Sequence, residues 1–163
     1  MGHEHRFTIS RGVASDCGPL FRVFREILSE LPYYNAWAKR DELAKYRPAL
    51  LKRKLGREGY VLYLARDTDD RVVGFAIAHD DDGITWIDWF GVERRARHLG
   101  VGSGLISSII SSARRRGHHK VWCDCRTTNL PSIRTLGGNG FRRVVTLRRH
   151  WYGQDFILWQ RWV

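Results

Sequence analysis

The sequence predicts an α/β fold, α+β in arrangement, around a mixed and mostly antiparallel central sheet of about seven strands flanked by about four helices. Three observations carry that expectation. Strand-like and helix-like segments interleave in the order β-α-α-β-β-β-α-β-α-β-β. Asp-rich turns at 67–70 and 80–83 separate three consecutive strand patterns, the mark of a meander. A basic, glycine-rich stretch, "RRARHLGVGSGL" at 94–105, lies between a strand and an amphipathic helix.

The elements follow in chain order. "HRFTISRGV" reads as an opening strand. Ser15 and Asp16 can cap a helix on which Leu20, Phe24, Ile27, Leu28 and Leu31 recur at helical spacing. "LPYYNAW" interrupts it, and a weaker helical stretch runs to about Leu55, broken near Pro48. Tyr60–Arg66, Arg71–His79 and Ile84–Val92 are the meander strands. After the glycines, Leu105, Ile106, Ile109, Ile110 and Ala113 make one helical stripe, with Ser107, Ser108, Ser111 and Ser112 opposite. "KVWCDC" is a strand, and residues 130–137 suit a short helix. "GFRRVVTLRR" and "DFILWQRWV" close the chain as a hairpin.

Composition bounds the function. The 163 residues suit one domain with a real core. Hydrophobic residues at 43% and charged residues at 28% describe a globular protein rather than a disordered one. No stretch approaches the ~20 apolar residues of a membrane helix. "MGHEHRF" lacks the apolar core of a signal peptide, and Cys17, Cys123 and Cys125 are too few for a disulfide framework. A cytoplasmic setting and no membrane partner are therefore expected. The net charge of +11 favours anionic partners, nucleic acid among them, although much of it also serves as a solubilising surface.

The glycines Gly100, Gly102 and Gly104 stand where helix amides lack internal partners and the macrodipole is positive. Glycine removes the Cβ that would keep a ligand off those amides, so strand, basic loop and helix together form a phosphate cradle. Each amide bonded to an ionised oxygen contributes roughly 1.5–3 kcal/mol. A Walker loop is excluded, because no Lys follows the glycines. A dinucleotide fingerprint would need glycine where Leu105 stands, and would follow the first strand of a βαβ unit.

Val92, followed by Arg97-His98-Leu99-Gly100-Val101-Gly102, resembles the R/Q-x-x-G-x-G/A motif of the GNAT acetyltransferase superfamily. "RTTNLPSIRTLGGNGF" resembles that family's downstream segment, with Asn129 as its Asn and Gly140-Phe141 as its closing pair. The likeness covers about residues 60–163; the first 55 or so match in helix order alone. It implies one domain over 1–163, with 1–55 on the acceptor side and 60–163 as the acetyl-CoA-binding core. It further implies direct acetyl transfer from acetyl-CoA to an amine, with no metal, by a monomer or homodimer.

Residue by residue, the resemblance assigns the pyrophosphate to the amides of Leu99, Gly100, Val101, Gly102, Ser103 and Gly104, with His98 in the same loop. Arg94, Arg95 and Arg97 add charge for the CoA phosphates or are solvated surface. The strand ending at Val92 is expected to splay from the next parallel strand at a bulge, for which Gly91 is suited. Phe90, Gly91 and Val92 then border the pantetheine arm, and the Val92 amide polarises the thioester carbonyl. Asn129 and Ser132 reach the cofactor from the next strand's end, or Asn129 caps the short helix.

The attacking amine must be uncharged, and a lysine-like amine titrates near 10.4. Strand alternation puts Trp86, Asp88, Phe90 and Val92 on one face, making Asp88 a candidate base or an inward acid with a structural partner. The resemblance implies a tyrosine acid where Leu136 stands. Tyr152, in "HWYGQD", is the preferred substitute acid or else a cavity wall. Tyr33, Tyr34, Trp37 and Tyr152 are expected to wall the acceptor, which composition leaves open among α-amines, lysine, polyamines and aminoglycosides. Cys123 and Cys125, on one strand face, read as core thiols rather than zinc ligands. The alternative from another class is a non-catalytic module binding CoA or nucleic acid.

Overall fold

The computed structural model describes residues 7–163, so the first residues of the opening-strand expectation, His5 and Arg6, lie outside them. Seven strands form one sheet in the order β1-β2-β3-β4-β5-β7-β6. They are β1 (Phe7–Arg11), β2 (Val61–Asp67), β3 (Val72–Asp81), β4 (Ile84–Val92), β5 (Lys120–Arg126), β6 (Arg142–Leu147) and β7 (Phe156–Trp162). Only β4 and β5 pair in parallel; every other neighbour is antiparallel.

Five α-helices cover the sheet: α1 (Cys17–Glu30), α2 (Ala36–Lys45), α3 (Pro48–Leu55), α4 (Val101–Arg115) and α5 (Leu130–Gly138). The first 55 residues thus hold three helices where periodicity suggested two. Pro48 is the reason, since it starts α3 in the first turn, where its missing N–H costs nothing. Helix α1 buries Leu20, Val23, Phe24, Ile27 and Leu28 against one face of the sheet. Each such side chain contributes about 1.5–3 kcal/mol as an upper figure. Asp16 precedes α1, but its carboxylate turns back to the Val13 N–H at 2.9 Å and to Arg66 at 2.6 Å rather than capping the helix.

On the other face α4 buries Leu105, Ile106, Ile109, Ile110 and Ala113, the stripe its sequence shows. Ser112 departs from its expected polar face and is buried. Trp159 is a core residue, whereas Trp151 and Trp162 are half exposed or more. Cys123 and Cys125 are buried free thiols.

The register around β4 places the site. Ile77 pairs with Trp89 and Ala78 with Ile87, which leaves Asp88 as the extra residue. The bulge therefore lies at Asp88 and not at Gly91, which pairs regularly with Phe75. Its consequence is a change of face. Phe90 and Val92 pack toward α4 while Trp89 packs toward α1, so Asp88 does not share one face with Phe90 and Val92 as simple alternation expects. Parallel pairing with β5 covers only Ile84–Lys120 to Ile87–Cys123. Beyond it the two strands part, with Asp88 and Asp124 the first residues past the split.

Candidate active site

One cavity, of about 400 Å³, runs from the split to the N-terminus of α4. Gly100 is the residue before the helix, with φ +84°, and His98 holds φ +64°, a conformation that turns the loop sharply after β4. The first helical amide with a main-chain acceptor is Gly104, which donates to Gly100 O at 2.9 Å. Val101, Gly102 and Ser103 keep the free donors of the first turn, and all three border the cavity. A Cβ on Gly102 would make only ordinary contacts, 3.6 Å from Thr135 and 3.7 Å from Val92, so the missing side chain leaves open space rather than relieving a clash.

Two residues expected in this cradle stand outside it. Gly104 spends its N–H inside the helix, and a Cβ there would lie 2.5 Å from Ile9 Cδ1, so its glycine serves close packing under β1. Leu99 is 43% exposed and does not border the cavity. Arg97 does border it, but its Nε donates to Val92 O at 3.0 Å and its Nη2 lies 3.5 Å from Glu30. That clamp fixes the loop to the end of β4. Arg134 and Thr135, on α5, line the opposite wall, and nothing in the local sequence marks either of them. Asn129 caps α5 by accepting the Ser132 N–H at 3.2 Å, the second of the two roles open to it.

A second cavity, of about 470 Å³, opens on the other side of the split. The two share Trp89, Phe90, Asn129 and Ser132. Tyr34 and Tyr152 line the second cavity, but Tyr33 lines the first, and Trp37 is 55% exposed and packs edge-on against Tyr152 instead. Of the four aromatics expected to wall the acceptor, two line this second cavity.

Asp88 points into the second cavity with a partner: His79 Nδ1 lies 3.0 Å from Oδ1 and 3.1 Å from Oδ2. That hydrogen bond, opposed by burial, raises the His79 pKa above its ordinary 6.5. The His79 ring stacks on Tyr60, centroids 5.2 Å apart. Asp124 faces Asp88 across the split. Burial pushes its carboxyl up to about 6, against the Trp151 indole N–H, which donates to Oδ2 at 2.7 Å and favours the charged form. Asp124 Oδ1 accepts no hydrogen bond among the described residues. Alternation along Lys120–Arg126 already separates Trp122, Asp124 and Arg126 from the buried Cys123 and Cys125, so the sequence held a signal for Asp124.

Tyr152 has a different situation from a free acid. Its hydroxyl donates to Asp41 Oδ2 at 2.6 Å, has Glu42 on its other side, and accepts from Lys45 at 2.8 Å. Burial and these two carboxylates hold its phenol well above the ordinary range, which makes it a poor proton donor. Glu42 is itself 8% exposed and accepts the Trp89 indole N–H at 2.7 Å, so the polar helix α2 is tied to β4 and to the Trp151–Gly153 turn through one carboxylate. Nothing in the surrounding sequence distinguishes Glu42. Leu136, where the tyrosine is implied, is fully buried in the core.

Among the described residues no group of three or more His, Cys, Asp and Glu side chains is placed to hold a metal ion, and no helix is long and apolar enough to cross a membrane. The model of the acetyltransferase (GNAT) family matches residues 22–141. No curated protein sequence matches the chain. Among solved structures, the PaiA N-acetyltransferase of Thermoplasma acidophilum in complex with coenzyme A superposes with a TM-score of 0.84 at 16% identity, covering 96% of this chain and 99% of that one. The ribosomal-protein-alanine N-acetyltransferase of Brucella melitensis gives 0.77 at 21% identity, over 96% and 99%. The structure of yncA from Salmonella typhimurium with its cofactor acetyl-CoA gives 0.73 at 22% identity, over 96% and 93%. A seven-stranded sheet split at β4 and β5, a helix N-terminus opening on that split and a family match across most of the length lead to one conclusion: the chain belongs to the GNAT family of acetyltransferases, acyltransferases with acetyl-CoA as donor.

Proposed function

We propose that the chain transfers an acetyl group directly from acetyl-CoA to a primary amine, the donor entering by the α4 cavity and the acceptor by the opposite one. The observation that carries this reading is the pair of cavities meeting at Trp89, Phe90, Asn129 and Ser132. A thioester laid through the first cavity presents its carbonyl where the second begins. The free amides of Val101, Gly102 and Ser103 hold the pyrophosphate, with Gly100 and His98 shaping the loop and Arg97 and Arg134 supplying charge. Phe90, Gly91 and Val92 border the pantetheine arm along the unpaired edge of β4.

Asp124 is the general base in this reading, a role sequence alternation alone gave to Asp88. A buried carboxyl near 6 is ionised at neutral pH yet basic enough to take a proton as the C–N bond forms. Asp88, bonded to His79, sits beside it and orients the acceptor. Tyr34 and Tyr152 act as walls, with Tyr152 holding α2 in place. The departing thiol titrates near 8.5, so water suffices to protonate it. Thiol release from acetyl-CoA, measured over a panel of amines beside calorimetry of CoA, tests the proposal. CoA binding with amine-dependent thiol release supports it. CoA binding without turnover of any amine identifies a non-catalytic CoA module, and tight nucleic-acid binding indifferent to CoA identifies the other.

A further inference from the structure

The acceptor cavity inverts the charge of the molecule. Four carboxylates line it, Glu42, Asp81, Asp88 and Asp124, against Lys45 and His79, in a chain of net charge +11. Glu42 and Lys45 are engaged with each other and with Tyr152. The remaining three acids mark out a path. Asp124 and Asp88 flank the split. Asp81 pairs with Ile84, four positions before Asp88 on β4. At about 3.3 Å per residue it lies about 13 Å further along the sheet, at the exposed mouth. His79 and Trp86, paired with each other, fall midway.

The walls along this path are aromatic: Tyr34, Trp86, Trp89 and Trp151 all face the cavity. Aromatic faces suit methylene spacers and attract ammonium groups. Acetylating a simple monoamine requires one base at the thioester and nothing at the mouth. A carboxylate about 13 Å away, reached past aromatic faces, has no part in that chemistry. It fits the far charge of an extended cation.

We propose that the acceptor is a linear di- or triamine, whose terminal nitrogen lies between Asp124 and Asp88 and whose distal ammonium rests near Asp81, past the Trp86 ring. The inference rests on the acetyltransferase reading above and names the acceptor for the same site. The terminal ammonium first gives one proton to solvent through the open mouth, and the neutral nitrogen attacks the thioester carbonyl. The C–N bond forms, the C–S bond breaks, the nitrogen's proton passes to Asp124, and the CoA thiolate takes a proton from water. The distal ammonium keeps its charge and its contact throughout.

The test is thiol release by the full chain from acetyl-CoA, with a linear triamine, an α,ω-diamine, an alkyl monoamine of matched length and a short neutral peptide bearing a free α-amine. The triamine is expected to exceed the monoamine by at least about tenfold in kcat/KM, an advantage that shrinks as salt screens the mouth. Asp81→Asn is expected to raise KM for the triamine about threefold with kcat little changed. Asp69→Asn, on the exposed β2–β3 turn, is the control. A monoamine or peptide used as well as the triamine, or an Asp81→Asn variant with the parent's KM, overturns the inference and leaves acetyl transfer standing. No thiol release with any amine, despite CoA binding, overturns both.

Discussion

Replacing Asp124 with Asn separates catalysis from stability in a way no other substitution in the site should. The carboxyl titrates at about 6 because it is buried, with the Trp151 indole as its one hydrogen-bond donor. In wild type, log kcat/KM therefore gains one extra unit of slope with pH below about 6, on top of the slope set by the amine itself. Asp124→Asn loses that extra slope and about 10²–10⁴ in rate above it. Stability moves the other way. The folded carboxyl holds its proton more tightly than the unfolded one, which titrates near 3.9. Folding is therefore penalised progressively as pH rises from about 4 to about 6. The penalty is up to about 3 kcal/mol at neutral pH. Asn keeps the Trp151 bond and carries no charge, so the variant melts about 5–10 °C higher at pH 7.5, a gain that vanishes near pH 4. Rate profiles of matched proteins and melting curves at the two pH values decide it. A variant that keeps the parent's slope and rate, or melts no higher at pH 7.5, refutes Asp124 as a buried base.

Three further outcomes follow from the same geometry. Gly104→Ala gains about 1 kcal/mol of helix propensity and displaces only the Cδ1 end of half-buried Ile9, so melting changes by no more than a few degrees. The CoA Kd by calorimetry stays within about twofold, because the Gly104 N–H is spent inside the helix; a Kd raised about tenfold would put Gly104 back in the cradle. Leu136→Tyr puts a phenol into a fully buried core position beside Phe141; it lowers melting temperature and does not raise kcat, and a faster enzyme would show the tyrosine role can be restored there. Asp88→Asn removes the partner that raises His79. The His79 contribution is full below about pH 6.5 and is lost as pH rises through the raised folded value, so the variant loses more melting temperature at pH 6 than at pH 9.

The sequence was most legible where one physical signal dominated. Helix α4 was readable because its apolar stripe is uninterrupted, and the glycine loop because free amides and missing side chains have few other uses. Helix α2 was harder, since it buries only Ala38 and Glu42. Its position is set by side chains far away in the chain: Tyr152 on Asp41 and Glu42, and Trp89 on Glu42. The bulge at Asp88 is hidden in the sequence for a related reason. Alternation reads one strand at a time, but a bulge is a count of one strand against its neighbour, here β4 against β3. That single extra residue separates Asp88 in face from Phe90 and Val92. Asp124 was visible as the polar member of an alternating strand, yet its importance depends on β4 parting from β5 beside it.

That parting has a mechanical meaning. Four parallel residue pairs, extended by the His119 N–H donating to Gly83 O at 3.3 Å, form the main-chain seam between the β1–β4 half of the molecule and the β5–β7–β6 half among the described residues. Past the seam, peptide groups of the two strands face each other without a rung between them. On the proposed donor path, a thioester arm with amides of its own lying in that gap would supply the missing rung. On that path the sheet would be better bridged with the donor in place than without it, and the donor would serve as a temporary structural member of the sheet that holds it.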